Sequence, residues 1–154
     1  MPLYYLDSSA LIKAYLPETG SAWIEELVVG ETIAISMLTV SEVASALSRR
    51  GREGALSAGQ RQQLFDTFLA HTVRFQVMPV SPDVIDDAAA ILLSDSPGAG
   101  LRTLDAIHLA TAQRSFILAR QAASESGVLV AADRRLREAA LALGTAVDNP
   151  EEHE

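Results

Sequence analysis

The chain has 154 residues, the size of one ordinary domain, and with 49% apolar residues it can bury a sizeable core. It has no cysteine, which excludes a disulfide framework and any thiolate metal site, so a bound metal would be held by oxygen or imidazole. Twelve basic against twenty acidic side chains leave a formal charge of −8, the wrong sign for binding nucleic acid through bulk charge alone. Local distribution and bound cations still set the field at a site. Arg49, Arg50 and Arg52 form one basic cluster and Arg134, Arg135 and Arg137 another, each either a solvated helix face or a phosphate contact. The start, MPLYYLDSS, lacks the basic residues and long apolar run of a signal peptide, and no stretch is long enough to span a bilayer. A soluble, cytoplasmic protein with no membrane partner is expected.

In chain order, the apolar run Leu3 to Leu6 predicts a strand that ends at Asp7, and Ser8 to Leu16 has helical spacing that stops before Pro17. Helix is expected over Ser21 to Val29, strand over Thr32 to Ile35, and helix over Thr39 to Arg52. A long amphipathic helix over Ser57 to Val73 leads to a strand at Phe75 to Val80 and a helix at Asp83 to Leu93. SDSPGAG, residues 94–100, has the residues of an exposed loop and the character of a mobile flap. An Ala-rich helix follows from Thr103 to Ala123, then a strand at Gly127 to Ala131, a helix at Asp133 to Leu143 and a short strand at Thr145 to Val147. Such alternation predicts an α/β domain over residues 1–148, with a parallel sheet covered by helices on both faces, followed by a frayed acidic tail at 149–154.

In an open parallel sheet, ligands collect outside the carboxyl ends of the strands. Asp7 and Asp133 stand at strand-to-helix handovers, while Glu42 and Asp105 fall in the first turns of expected helices. Each has a structural explanation of its own, because acids near a helix N-terminus are stabilising by roughly 0.3 to 1 kcal/mol. Thr39 to Glu42 even matches a capping box, in which the two side chains bond each other's backbone N–H. If all four converge on one sheet edge, however, their mutual repulsion demands a cation. Carboxylate oxygens select a hard divalent ion, Mg²⁺ or Mn²⁺, which suits phosphodiester hydrolysis without a nucleophilic side chain.

LDSSALIKAYLPE, LTVSEVASAL, LRTLDAIHLATA and VLVAADRRLREAA, in this order and spacing, closely resemble the PIN domain of VapC-type toxins from toxin-antitoxin pairs, from Leu6 to about Ala140. The resemblance implies a PIN-like three-layer α/β/α fold with a small, mainly parallel central sheet. It also implies a ribonuclease dependent on one or two divalent ions, with Asp7, Glu42 and Asp105 as main acids and Asp133 as the fourth. Ser9 matches the hydroxyl residue that orients the first acid or a metal-bound water. Many relatives carry Thr or Ser where this chain has Ala131, so a hydroxyl behind Asp133 is missing. The family further implies an RNA substrate, a cognate antitoxin covering the acidic site, and a homodimer. The apolar segments carrying Trp23, Val40, Val43 and Leu47 offer surface either for such partners or for the core.

Lys13 and Arg102 are candidate phosphate contacts, and His108, one turn after Asp105, is read as a buried helix residue rather than a metal ligand. A phosphatase using Asp7 as nucleophile, as in haloacid-dehalogenase-like folds, wants a second Asp where Ser9 stands and leaves Glu42 without a task. A PIN-like module that binds RNA or a partner without cutting is the other alternative; retention of all four acids speaks against it.

Overall fold

The computed structural model describes residues 1–95 and 100–153. Five parallel strands, β1 (Leu3–Leu6), β2 (Thr32–Ser36), β3 (Gln76–Met78), β4 (Gly127–Val130) and β5 (Ala146–Asp148), form one sheet in the order β3-β2-β1-β4-β5. The chain winds outward from β1 to β3, then crosses back to build β4 and β5 on the other side. Strand order therefore reverses at β1, and the carboxyl ends of β1 and β4 mark the switch point where such sheets open a crevice.

Alternation along each strand assigns the two faces. Leu6, Ile33, Ile35 and Val130 point into a core shared with α1 (Ser8–Leu11), α2 (Ser21–Gly30), α3 (Leu38–Arg52) and α4 (Ala58–Thr72). Leu3, Tyr5, Ala34 and Leu129 point the other way, onto α6 (Thr103–Ala123) and α7 (Arg134–Ala142). The alanines of α6 have two duties: Ala112 lies against the sheet, and Ala106 and Ala110 let α5 (Pro82–Leu93) pack closely on the outer side. Gly127 opens β4 because a Cβ there would sit 2.0 Å from the Phe116 ring. The expected three-layer α/β/α arrangement is present, with every strand pair parallel.

Four local expectations change. The helix after Asp7 is one α turn followed by a tighter 3₁₀ turn at Ile12–Ala14, since Tyr15 and Leu16 N–H both donate to the Ile12 carbonyl and close it. α3 begins at Leu38, not Thr39, because the Ser36 hydroxyl accepts from Leu38 N–H at 3.1 Å and starts the helix one residue earlier. Thr39 is then inside the helix, its hydroxyl buried without a partner among the described residues, and the capping box with Glu42 does not form. Of the segment expected to fray, residues 149–153 instead fold back. Pro150–Glu152 form a 3₁₀ turn with Pro150 buried, and the His153 ring stacks on Trp23 at 3.9 Å. Gly20, at φ +86°, admits this return because a Cβ there would lie 2.1 Å from the Pro150 carbonyl oxygen. Of the expected loop at 94–100, residues 96–99 lie outside the described residues, and with them the flap expectation.

Candidate active site

Asp7 leaves β1 with its N–H donating to the Val130 carbonyl at 3.2 Å, which pins it between the ends of β1 and β4. Its side chain caps α1, Oδ1 accepting from Ala10 N–H at 2.9 Å. Ser9 Oγ lies 2.7 and 2.8 Å from the two carboxylate oxygens, so its one proton is shared between them. The same Oγ accepts from Ala132 N–H at 3.1 Å, tying the loop after β4 to the first acid. Asp7 is only 4% exposed, and loss of solvation pushes its pKa up to about 6, against the lowering influence of His108 and of the bonds from Ser9 and Ala10.

Glu42, freed from capping, reaches across to α6, where its Oε2 accepts from His108 Nε2–H at 2.6 Å. On the far side of the ring, Nδ1 lies 2.8 Å from the Tyr5 hydroxyl. Nδ1 accepts from that hydroxyl when the ring is neutral and donates to its oxygen when the ring is charged. Burial alone would pull the His108 pKa down; the bond and charge of Glu42, with Asp7 and Asp105, outweigh it and hold the pKa above its ordinary value. The reading of His108 as a buried helix residue is therefore incomplete: it is buried and also holds an acid of the site. Tyr5 was not among the expected site residues. The signal for it was a hydroxyl on the strand face that turns toward α6, where a buried polar group must find a partner.

Asp105, in the first turn of α6, accepts at Oδ2 from Arg102 N–H and from Arg102 Nε–H, both at 3.3 Å. Asp133 caps α7, its Oδ1 accepting from Leu136 N–H at 3.0 Å, and its Oδ2 accepts from Arg102 Nη2–H at 3.4 Å. Where a hydroxyl at Ala131 is missing, Arg137 donates to the carbonyls of Ala131 and Ala132 at 2.7 Å each and braces the loop. That assigns Arg137 a structural task. Arg134 pairs with Glu138 along the exposed face of α7.

Asp7, Ser9, Glu42, Arg102, Asp105, His108 and Asp133 all line a single cavity of about 460 Å³ at the switch point. A larger hollow, about 580 Å³, lies at the opposite sheet edge around Phe116, Gly127 and Gly144, but no acid lines it. Lys13 is not part of the site. It is 3% exposed, and its ammonium pairs with Glu18 at 3.2 Å and Glu151 at 3.3 Å, because the C-terminal return carries Glu151 over it. Arg50, from the other basic cluster, pairs with the same Glu18 at 3.0 Å.

The donor set fits a hard divalent ion in kind: four carboxylates around one open cavity, without thiolate. Arg102 bonds one oxygen each of Asp105 and Asp133, and His108 bonds one oxygen of Glu42. Among the described residues no three acidic or histidine side chains are yet grouped to hold an ion.

Comparison with known proteins finds related sequences and related folds. Residues 4–141 match the family model of the PIN domain. Ribonuclease VapC46 of Mycobacterium tuberculosis is 38% identical over 151 residues, covering 97% of this chain and 99% of that protein. Ribonuclease VapC35 of the same species is 35% identical, covering 96% and 97%. Two solved structures share the fold at 18% identity. FitAcB from Neisseria gonorrhoeae has a TM-score of 0.67 and covers 98% of this chain and 99% of its own. VapBC2 from Rickettsia felis, bound to a DNA fragment from its promoter, has a TM-score of 0.60 and covers 96% and 98%. With the family model spanning most of the chain and full-length relatives above 30% identity, this chain belongs to the PIN domain family.

Proposed function

We propose that the chain is a divalent-metal-dependent endoribonuclease, hydrolysing RNA phosphodiester bonds as the toxin of a type II toxin-antitoxin pair. The observation that carries this reading is the meeting of Asp7, Glu42, Asp105 and Asp133, from four separate elements, around one cavity at the switch point. Its relatives' names, Ribonuclease VapC46 and VapC35, support RNA as the substrate.

These four acids would hold one or two ions, Mg²⁺ or Mn²⁺. Such an ion, when bound, supplies an acidified water and offsets charge on the phosphoryl oxygens in the transition state. The rest is the work of the chain. Ser9 fixes the rotation of the Asp7 carboxylate, and its bond from Ala132 N–H keeps the β1 and β4 handovers in register. His108, backed by Tyr5, holds Glu42 toward the cavity. Arg102, 69% exposed at the mouth, is placed to meet a phosphate.

A cognate antitoxin and a homodimer belong to the same reading. A structural neighbour is a toxin-antitoxin complex from Klebsiella pneumoniae, and Ile85, Leu92 and Leu93 on α5 expose apolar surface that a second chain would cover. A cytoplasmic setting completes it; no helix among the described residues is long and apolar enough to cross a membrane.

The test is an RNA cleavage assay with added Mg²⁺ or Mn²⁺, comparing the wild type with Asp7→Asn and Asp105→Asn. Metal-dependent cutting that is lost in both variants is the expected result. A wild type that binds RNA and never cuts it would point to the binding-module alternative.

A further inference from the structure

Arg102 occupies the place of a cation. Its guanidinium spans Asp105 and Asp133, with Nε 3.3 Å from one carboxylate and Nη2 3.4 Å from the other. The remaining acids are also answered from within, Glu42 by His108, and Asp7 by Ser9 and the Ala10 N–H.

We propose that Arg102 is an internal counter-ion of Asp105 and Asp133, competing directly with a divalent ion for both. The inference rests on the metal-dependent reading above and extends it to how the site is loaded. Two carboxylates facing one cavity repel, and a planar guanidinium reaches both at once because its donors diverge. Without it, the two carboxylates would carry that repulsion into the folded state. The same geometry makes the restraint easy to displace. Both contacts are at the long end of hydrogen bonding, and the side chain is 69% exposed, so water and salt weaken them. Arg102 has extended backbone, φ −80° and ψ 160°, just ahead of α6, so its side chain is not packed into the helix when it lets go. Asp105 keeps its bond from the Arg102 backbone N–H, and Asp133 its bond from Leu136 N–H, so both acids stay positioned while the guanidinium leaves.

The experiment is a titration of Mn²⁺ alone, without RNA, into wild type, Arg102→Gln and Arg102→Lys, with free Mn²⁺ read by electron paramagnetic resonance and melting temperature followed in parallel. Removing a competitor is expected to tighten Mn²⁺ binding about three- to tenfold in Arg102→Gln, the range set by two exposed ion pairs. Arg102→Lys should fall between, and metal-free Arg102→Gln should melt below wild type yet gain more from Mn²⁺. Equal or weaker Mn²⁺ binding in Arg102→Gln, with normal binding by the wild type, overturns the proposal and leaves the nuclease reading standing. Absence of Mn²⁺ binding in all three proteins overturns both.

Discussion

His108 Nε2 and Glu42 Oε2 are 2.6 Å apart, although the two residues belong to helices on opposite faces of the sheet. With α3 starting at Leu38 the Glu42 carboxylate has no capping task, and this contact holds it toward the cavity, with Tyr5 fixing the imidazole from behind. Groups that orient a metal-binding or catalytic side chain in this way are worth about 10- to 100-fold in activity or metal affinity when removed. His108→Gln is therefore expected to slow single-turnover RNA cleavage by that order while the protein still folds, as circular dichroism would show. Cleavage at the wild-type rate would mean that Glu42 needs no holder.

The buried hydroxyl of Thr39 gives an independent check on the same helix. Because it has no partner among the described residues, Thr39→Val exchanges an unsatisfied polar group for a methyl of nearly equal size, and is expected to be neutral or stabilising by up to about 1 kcal/mol in urea denaturation. Were the Thr39–Glu42 capping box formed, the substitution would cost about 1 kcal/mol instead.

Asp7 ties the site to folding stability. Its carboxyl is lifted by burial from 3.8 to about 6, so the folded state holds this proton more tightly than the unfolded chain does. In the metal-free protein its contribution is most favourable below the unfolded value, falls as pH rises between about 4 and 6, and stays at its lowest above that, a penalty of up to about 3 kcal/mol. Asp7→Asn removes the ionisation. The variant should have a higher urea midpoint than wild type at pH 7.5, with the gap closing toward pH 4. A variant less stable than wild type at pH 7.5 would show that the ionised carboxylate is well accommodated without a metal.

Lys13 separates structural from functional cations. Its ammonium is committed to Glu18 and Glu151 beneath the C-terminal return. Lys13→Met should leave RNA affinity and its salt dependence unchanged in a filter-binding assay and alter the melting temperature only modestly, since Glu18, which keeps Arg50, and Glu151 are both part-exposed and water can solvate them once the ammonium is gone. A drop in the salt slope by about one unit would return Lys13 to the phosphate contacts.

Much of this architecture is legible in the residues. The alternation of strands and helices predicts the parallel sheet, and Asp7 and Asp133 stand at handovers that periodicity alone locates, so the switch-point site follows from their order. What periodicity cannot carry are pairings across the fold. The Glu42 motif fits a capping box as well as a site acid; the early start of α3 at Leu38 removes the first, and His108, 66 residues later, supplies the partner for the second. The fate of Lys13 depends on Glu151, 138 residues away, in a segment whose acidic composition suggests fraying. That segment is held by features with little local signature: a left-handed Gly20, the buried Pro150, and the stacking of His153 on Trp23.

The central claim is that four acids from four elements act as one site, and single-turnover RNA cleavage by Asp7→Asn, Asp133→Asn and the double variant at saturating Mn²⁺ tests it most directly. Residues that work as a unit are not additive, so each single variant should lose most of the activity and the double variant should be little worse than the poorer single. Single variants that cut RNA at the wild-type rate, or losses that simply multiply in the double variant, would contradict a shared site.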